Sequence, residues 1–278
     1  MLSLYRYVVQ SGLTALARSA RRHLKNGDPA PPSTGPDAHD RPFVHETRSH
    51  KSLHFCVKQT QSRMLKRDPD TLVLDYTRTM MGFLLLNGQP RRIGMIGLGG
   101  GSLAKFCYRI LPHTRIDVFE INPHVVALRD EFCVPPDDER FEVHLVDGAA
   151  FVGESRDAFD VLLFDAYTRT GLPAHLSTPK FFASCRRALR DGGVLAANLY
   201  CPDSAVLMDR LRDAFRGDVF FVDEEDGTNR VAFACAGDQL RQRPRLALRA
   251  PDTIPQANWD SLLPEFARVR WAIRRSLA

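Results

Sequence analysis

From residue 91 onward, short apolar runs alternate with segments whose apolar residues recur every three or four positions. The runs at 92–96, 115–120, 141–146, 159–164 and 193–199 predict strands. The segments at 102–110, 123–131, 148–154 and 177–190 predict helices. Such alternation builds a parallel sheet with helices on both faces. Two further runs, 219–222 and 231–235, flank a short polar loop and predict a hairpin. A final helix is expected at about 256–276, with Trp259, Leu262, Leu263, Phe266, Val269 and Trp271 as its apolar side. Upstream, 43–64 alternates as a few short strands would, for example at 53–57. A helix is expected over 68–87, because Asp68-Pro69-Asp70 places proline and acids where a helix starts.

Composition adds bounds. The chain has 278 residues, 44% hydrophobic and 26% charged, enough for one main domain and a smaller one. No apolar run is long enough to cross a bilayer. The six cysteines form no C-x-x-C pair, and Cys107, Cys185 and Cys235 lie in apolar patterns. Free buried thiols fit a reducing, cytoplasmic setting and argue against a zinc site, so no metal is expected.

The net charge of +5 is modest and uneven. Residues 1–27 hold Arg6, Arg18, Arg21, Arg22 and Lys25 with no acid, and 4–25 can form a basic amphipathic helix. That segment could target, dock or simply trail. Because the middle is balanced, no nucleic-acid surface is implied. The proline-rich stretch 27–42 is a linker. The chain thus divides into a basic helix and linker at 1–42, a small β-domain with a connecting helix at 43–88, a cofactor-binding domain at 89–238 and a helical extension at 239–278.

Ligands of open α/β sheets bind beyond the C-terminal strand ends. The first strand is followed by Gly97-Leu98-Gly99-Gly100-Gly101-Ser102, the second ends at Glu120, the third leads to Asp147-Gly148 and the fourth to Asp165. Glycines let the backbone turn sharply and approach a ligand closely. Such turns also serve NAD, FAD and phosphates, but the NAD fingerprint needs glycine where Ser102 stands. Glu120 can accept hydrogen bonds from ribose hydroxyls, in NAD enzymes as well. Asp147 can accept from an adenine amino group or cap the next helix, with Gly148 leaving room for a ring. Asp165 falls where a cationic amine or sulfonium would be attracted, or it orders its loop.

With these residues in place, the chain resembles the spermidine synthase (polyamine aminopropyltransferase) family from about 43 to 236. The matching segments are Ile96 to Gly101, Phe119-Glu120-Ile121-Asn122, Val146-Asp147-Gly148, and Phe164-Asp165-Ala166-Tyr167 leading to Gly171-Leu172-Pro173. Gln61-Ser62 and Tyr76 look like the family's small β-domain and its first helix. The resemblance implies a Rossmann-like, class I methyltransferase fold of seven strands behind an N-terminal β-domain, and a homodimer. It implies S-adenosylmethionine or its decarboxylated form as cofactor, and a small amine or polyamine as acceptor. By position, Gly97, Gly99, Gly100 and Gly101 line the cofactor with Ile121 and Gly148. Glu120 holds ribose, Asp147 adenine, and Asp165 faces the sulfonium tail and the acceptor. Gln61 and Tyr76 close the site, and the catalytic set is Asp165, Tyr76 and Thr168.

The family's gate motif departs here. Its second aspartate is replaced by Thr168, which cannot serve as a base, and Arg169 brings a cation to the entrance. The family's Tyr-His-Glu run reads Tyr76-Thr77-Arg78, and its Tyr-Pro-Gly-Gly segment is missing. Asp223-Glu224-Glu225-Asp226, at the same edge, is a candidate attractor for a polycation. Aminopropyl transfer to a changed acceptor, methyl transfer and a non-catalytic nucleoside-binding role all remain open at this point.

Overall fold

The computed structural model describes residues 39–57, 59–200, 204–225, 227, 229–237, 240 and 250–276. The basic segment 4–25, most of the 27–42 linker and Asp226 lie outside the described residues. Strands β1 (Phe43–Glu46), β2 (His50–Cys56) and β3 (Gln59–Leu65) form an antiparallel sheet in that order. Helix α1 (Asp75–Met80) and a 3-10 turn at Met81–Leu85 lead into the main domain.

There the order is β4 (Arg92–Ile96), α2 (Ser102–Ile110), β5 (Arg115–Glu120), α3 (Pro123–Val126), β6 (Phe141–Leu145), α4 (Gly148–Glu154) and β7 (Phe159–Phe164). It continues with α5 (Pro179–Ala188), β8 (Leu189–Leu199), α6 (Ser204–Ala214), β9 (Val219–Asp223) and β10 (Arg230–Cys235). Helices α7 (Gln256–Asp260) and α8 (Leu263–Ser276) complete the described chain. The seven strands lie in the order β6-β5-β4-β7-β8-β10-β9. β10 runs antiparallel to both its neighbours, and the β6 to β8 block is parallel. The switch of direction between β4 and β7 leaves a crevice at the carboxyl ends of these two strands.

Central strands are buried on both faces, which is why they read as continuous apolar runs. On β7, Val161 and Leu163 pack with α2, the 3-10 turn and α8. Leu162 and Phe164 pack with α5 and α6. Cys107, Cys185 and Cys235 are buried, and burial pushes the Cys107 and Cys185 thiols well above the usual range. Among the described residues, no helix is long and apolar enough to cross a membrane.

Three expected helices are shorter than their pattern. The 68–87 helix starts only at Asp75, because Thr71 Oγ1 donates to Asp68 Oδ2 at 2.6 Å and closes a separate turn. The 123–131 helix stops at Val126, where hydrogen bonds shift toward i−3 partners and Phe132 turns into the core. Lys105 Nζ then donates to the Phe132 carbonyl at 2.7 Å. The final helix breaks between Asp260 and Leu263, since Pro264 has no N–H to continue α7 and instead suits the first turn of α8.

A buried carboxylate lies in the middle of β5. Asp117, on β5, is 1% exposed and meets Arg92 Nε at 2.7 Å, with Arg115 and His144 at 3.3 Å. Burial alone would raise its carboxyl, but hydrogen bonds from His144 and Arg92 and the guanidinium charges hold it well below the usual carboxylate range. Its contribution to stability is therefore present above the unfolded-state value near 3.9 and lost as pH falls below it. Asp117→Asn is expected to destabilise by about 2 kcal/mol at pH 7, less than a fully buried pair because the arginines are partly solvated. The difference should shrink towards pH 2 in urea unfolding curves.

Candidate functional site

The glycine turn leaves β4 at Gly97, whose φ of +96° disfavours any side chain. A Cβ there would overlap the Asp165 carbonyl oxygen and lie 2.9 Å from its carbon. The tight approach of the two strand ends is fixed by Asp165 N–H donating to the Ile96 carbonyl at 3.0 Å. Gly99, also at positive φ (+54°), has open space beside it, with only Ser62 Cβ at 3.8 Å from an added Cβ. Gly100 and Gly101 pack against Phe132 and Val134, and Gly100 also against Ser62. Ser62 Oγ lies 3.2 Å from Ser102 Oγ, so β3 lies on the turn. The β2/β3 register slips between Ser62 and Thr60, leaving Gln61 as the extra residue of a bulge, the kind of irregularity that re-aims a side chain.

Glu120 is buried at the end of β5. Its Oε2 accepts from Leu98 N–H and its Oε1 from Asn122 N–H, both at 2.9 Å. Burial raises its carboxyl, and these backbone donors offset only part of that rise. The Ile121 and Gly99 N–H groups also act on this carboxylate. Ile121 follows, half-buried. Asp147 caps α4, its Oδ1 accepting from Ala149 N–H at 2.9 Å with His175 Nε2 at 3.5 Å. Beside Gly148, the space a Cβ would take is filled by Ile96, so its small size serves the packing of α4 on β4.

Asp165 is the centre of the arrangement. Tyr76 OH donates to its Oδ2 and Asn198 Nδ2 to its Oδ1, both at 3.0 Å. Burial raises this carboxyl above the usual range, and the Asn198 and Tyr76 donors oppose the rise. Burial and the Asp165 charge push the Tyr76 phenol well up. α1 and β8, far apart in sequence, thus converge on one carboxylate at the crevice.

Comparison with known proteins decides the family. Residues 73–205 match the spermine/spermidine synthase domain. The chain is 34% identical over 246 residues to a polyamine aminopropyltransferase of Neisseria meningitidis, spanning 87% of this chain and 90% of that one. The chain belongs to the polyamine aminopropyltransferase family. A Chromobacterium violaceum aminopropyltransferase is 38% identical over 179 residues, 63% of this chain and 69% of its own. These relatives are transferases. Among solved structures, a probable spermidine synthase from Corynebacterium glutamicum superposes with a TM-score of 0.61 at 18% identity, over 70% of this chain and 76% of that one. Human methyltransferase-like protein 13, in complex with SAH, gives 0.52 at 23%, over 74% and 93%. Both likenesses concern the fold.

Within this aminopropyltransferase family frame, the altered gate has its own structure. Thr168 and Gly171 form a tight two-way backbone bridge, and Thr168 Oγ1 donates to the Gly171 carbonyl at 3.0 Å. The hydroxyl is thereby spent inside its own turn. Arg169 turns to Asp40, with Nε 3.4 Å from Oδ1, and the Asp40 carbonyl accepts from Asn122 Nδ2 at 2.8 Å. Thr77 and Arg78 face away from Asp165. Thr77 is buried, and Arg78 pairs with Glu265 at 2.7 Å and with Asp75.

Two acids of the acidic run are paired. Asp223 pairs with Arg230, and Glu224 turns inward to Arg268 at 3.1 Å. Asp117, Glu142 and His144 gather ligand-capable atoms within 4.8 Å of one another, but Arg92 and Arg115 already balance the acids there.

Asn198 was not singled out from the sequence. Its signal was a polar residue inside the apolar run Leu195 to Leu199, at the fifth strand end to reach the rim. It is buried, and its Oδ1 has no partner among the described residues.

Proposed function

We propose that the chain transfers an aminopropyl group from decarboxylated S-adenosylmethionine to a small amine, with methylthioadenosine as the other product. The observation that carries this reading is Asp165, a carboxylate clamped between Tyr76 and Asn198 beside the glycine turn. The donor set fits an adenosyl group. Gly97 to Gly101 let the backbone come close, with Gly99 facing open space. Glu120 would take the ribose hydroxyls, Asp147 an adenine amino group, and Gln61, Ile121 and Gly148 would border the same rim.

The cofactor supplies an electrophilic carbon beside a sulfonium, which departs as a neutral thioether. An alkylammonium acceptor has a pKa near 10, so at neutral pH only about one molecule in a thousand carries the free lone pair. Asp165 would hold the ammonium close and take one proton from it, freeing the lone pair that then attacks the carbon. Tyr76 and Asn198 keep the carboxylate oriented, and Thr168 takes no proton. Because the leaving group is already cationic, no metal is assigned a role. A homodimer is retained as part of this reading.

Methyl transfer is the second reading, favoured by Arg169, which could pair with the carboxylate that the decarboxylated cofactor lacks. Arg169 here meets Asp40, in a pair exposed enough to exchange for another carboxylate. Calorimetry separates the two. The decarboxylated cofactor is expected to bind at least tenfold tighter than S-adenosylmethionine, and mass spectrometry of an amine panel should show aminopropyl adducts. A preference for the parent cofactor, or methylated products, would overturn the proposal.

A further inference from the structure

Tyr167 stands two residues past Asp165 in the altered gate and is half-buried. Its hydroxyl donates to the Asn198 carbonyl and accepts from the Tyr200 N–H, both at 2.7 Å. These are the two bonds that a residue of a parallel neighbour strand would make around Leu199. Backbone pairing of β7 with β8 ends earlier, at Phe164 and Ala197. A single phenol thus holds the end of β8 to the gate. The Tyr200 ring meets the Tyr167 ring edge-on, with 6.2 Å between centroids.

Asn198, held in this way by its backbone, has a second task for its side chain. Its Nδ2 donates to Asp165 Oδ1 at 3.0 Å. Tyr167, Asn198 and Asp165 therefore close a ring, from phenol to backbone, through the amide to the carboxylate, and along the chain back to the phenol. Without the hydroxyl, the Asn198 carbonyl and the Tyr200 N–H must find water or shift toward other partners. Such a shift carries along the amide that grips Asp165. We propose that Tyr167 is a positioning residue of the transfer reaction, fixing the end of β8 so that Asn198 holds Asp165. This rests on the role given to Asp165 above. Tyr76 reaches the other carboxylate oxygen from α1 and lies outside the ring. The Tyr76 and Tyr167 phenols are the titratable neighbours on α1 and in the gate, and β8 contributes the uncharged Asn198 amide.

Tyr167→Phe removes the hydroxyl and keeps the ring, so its circular dichroism should match the parent's. With decarboxylated S-adenosylmethionine and 1,4-diaminobutane, kcat should fall about tenfold. The KM of the cofactor should stay within about twofold, because the glycine turn, Glu120 and Asp147 are untouched. The Asn198 donor lowers the Asp165 carboxyl, so loosening it should move the acid limb of the kcat profile to higher pH, by about half a pH unit. Asn198→Ala should move that limb at least as far, and adding Tyr167→Phe to it should move it no further. The same quantity can be read without turnover from the carbon-13 signal of the Asp165 carboxyl, identified by its loss in Asp165→Asn. Its titration midpoint should rise in Tyr167→Phe. A midpoint equal to the parent's, or a loss of kcat that adds in full to that of Asn198→Ala, would overturn the proposal. A parent protein that transfers no aminopropyl group would sink the assigned reaction instead, and the carbon-13 titration would still decide whether Tyr167 holds Asp165 through Asn198.

Discussion

Asp165→Asn is expected to lower kcat by about three orders of magnitude while leaving the fold intact, since general-base and positioning contributions run from about 10² to 10⁴. The amide is isosteric. Its oxygen can still accept from Asn198, and its nitrogen can donate to the Tyr76 hydroxyl, which rotates to receive it. Stability should move the other way. The carboxyl is raised in the folded protein, so its contribution is fully present below the unfolded value near 3.9 and is lost as pH rises through the folded value. Above that folded value the ionised group is therefore a cost, and there the variant should melt at the same temperature as the parent or higher, the gap closing as pH falls towards 4. The parent's activity should fall as pH drops through the same raised value. Steady-state kinetics and thermal melts at several pH values test both halves. Full activity in the variant would remove Asp165 from the chemistry.

Gly97→Ala should be the most damaging single-methyl change in the site. The added carbon meets backbone, the Asp165 carbonyl, which no rotamer change can relieve, and the φ of +96° adds strain. A loss of about 4 kcal/mol or more is expected, read as a melting temperature lower by roughly 10 °C. Gly99→Ala is the control. Its Cβ meets only Ser62 Cβ, at 3.8 Å, so about 1–2 kcal/mol of backbone strain should remain. A Gly97→Ala protein as stable as the Gly99→Ala protein would show that the strand ends are not packed as described.

These two positions were readable from sequence because their signals are local, a glycine turn and an acid after an apolar strand. The strands 92–96, 115–120 and 159–164 fell where the pattern put them, since a strand buried on both faces is a short apolar block with sharp edges. Helix lengths were less readable. The Asp68–Thr71 turn and the i−3 bonds after Val126 use residues that also suit a helix, and tertiary demands chose between the two. Pro264 was a visible break that the apolar periodicity around it concealed. The inward turn of Glu224 was hidden for a different reason. Its partner Arg268 lies 44 residues away, beyond the reach of any local pattern.

Asp40 joins two parts of the rim, its carbonyl to Asn122 behind β5 and its carboxylate to Arg169 in the altered gate. The second link joins an arginine side chain 61% exposed to a carboxylate 34% exposed, so it is worth well under about 1 kcal/mol and weakens with ionic strength. Residues 39–42 are therefore only loosely fastened to the gate turn, and added salt would loosen that fastening further.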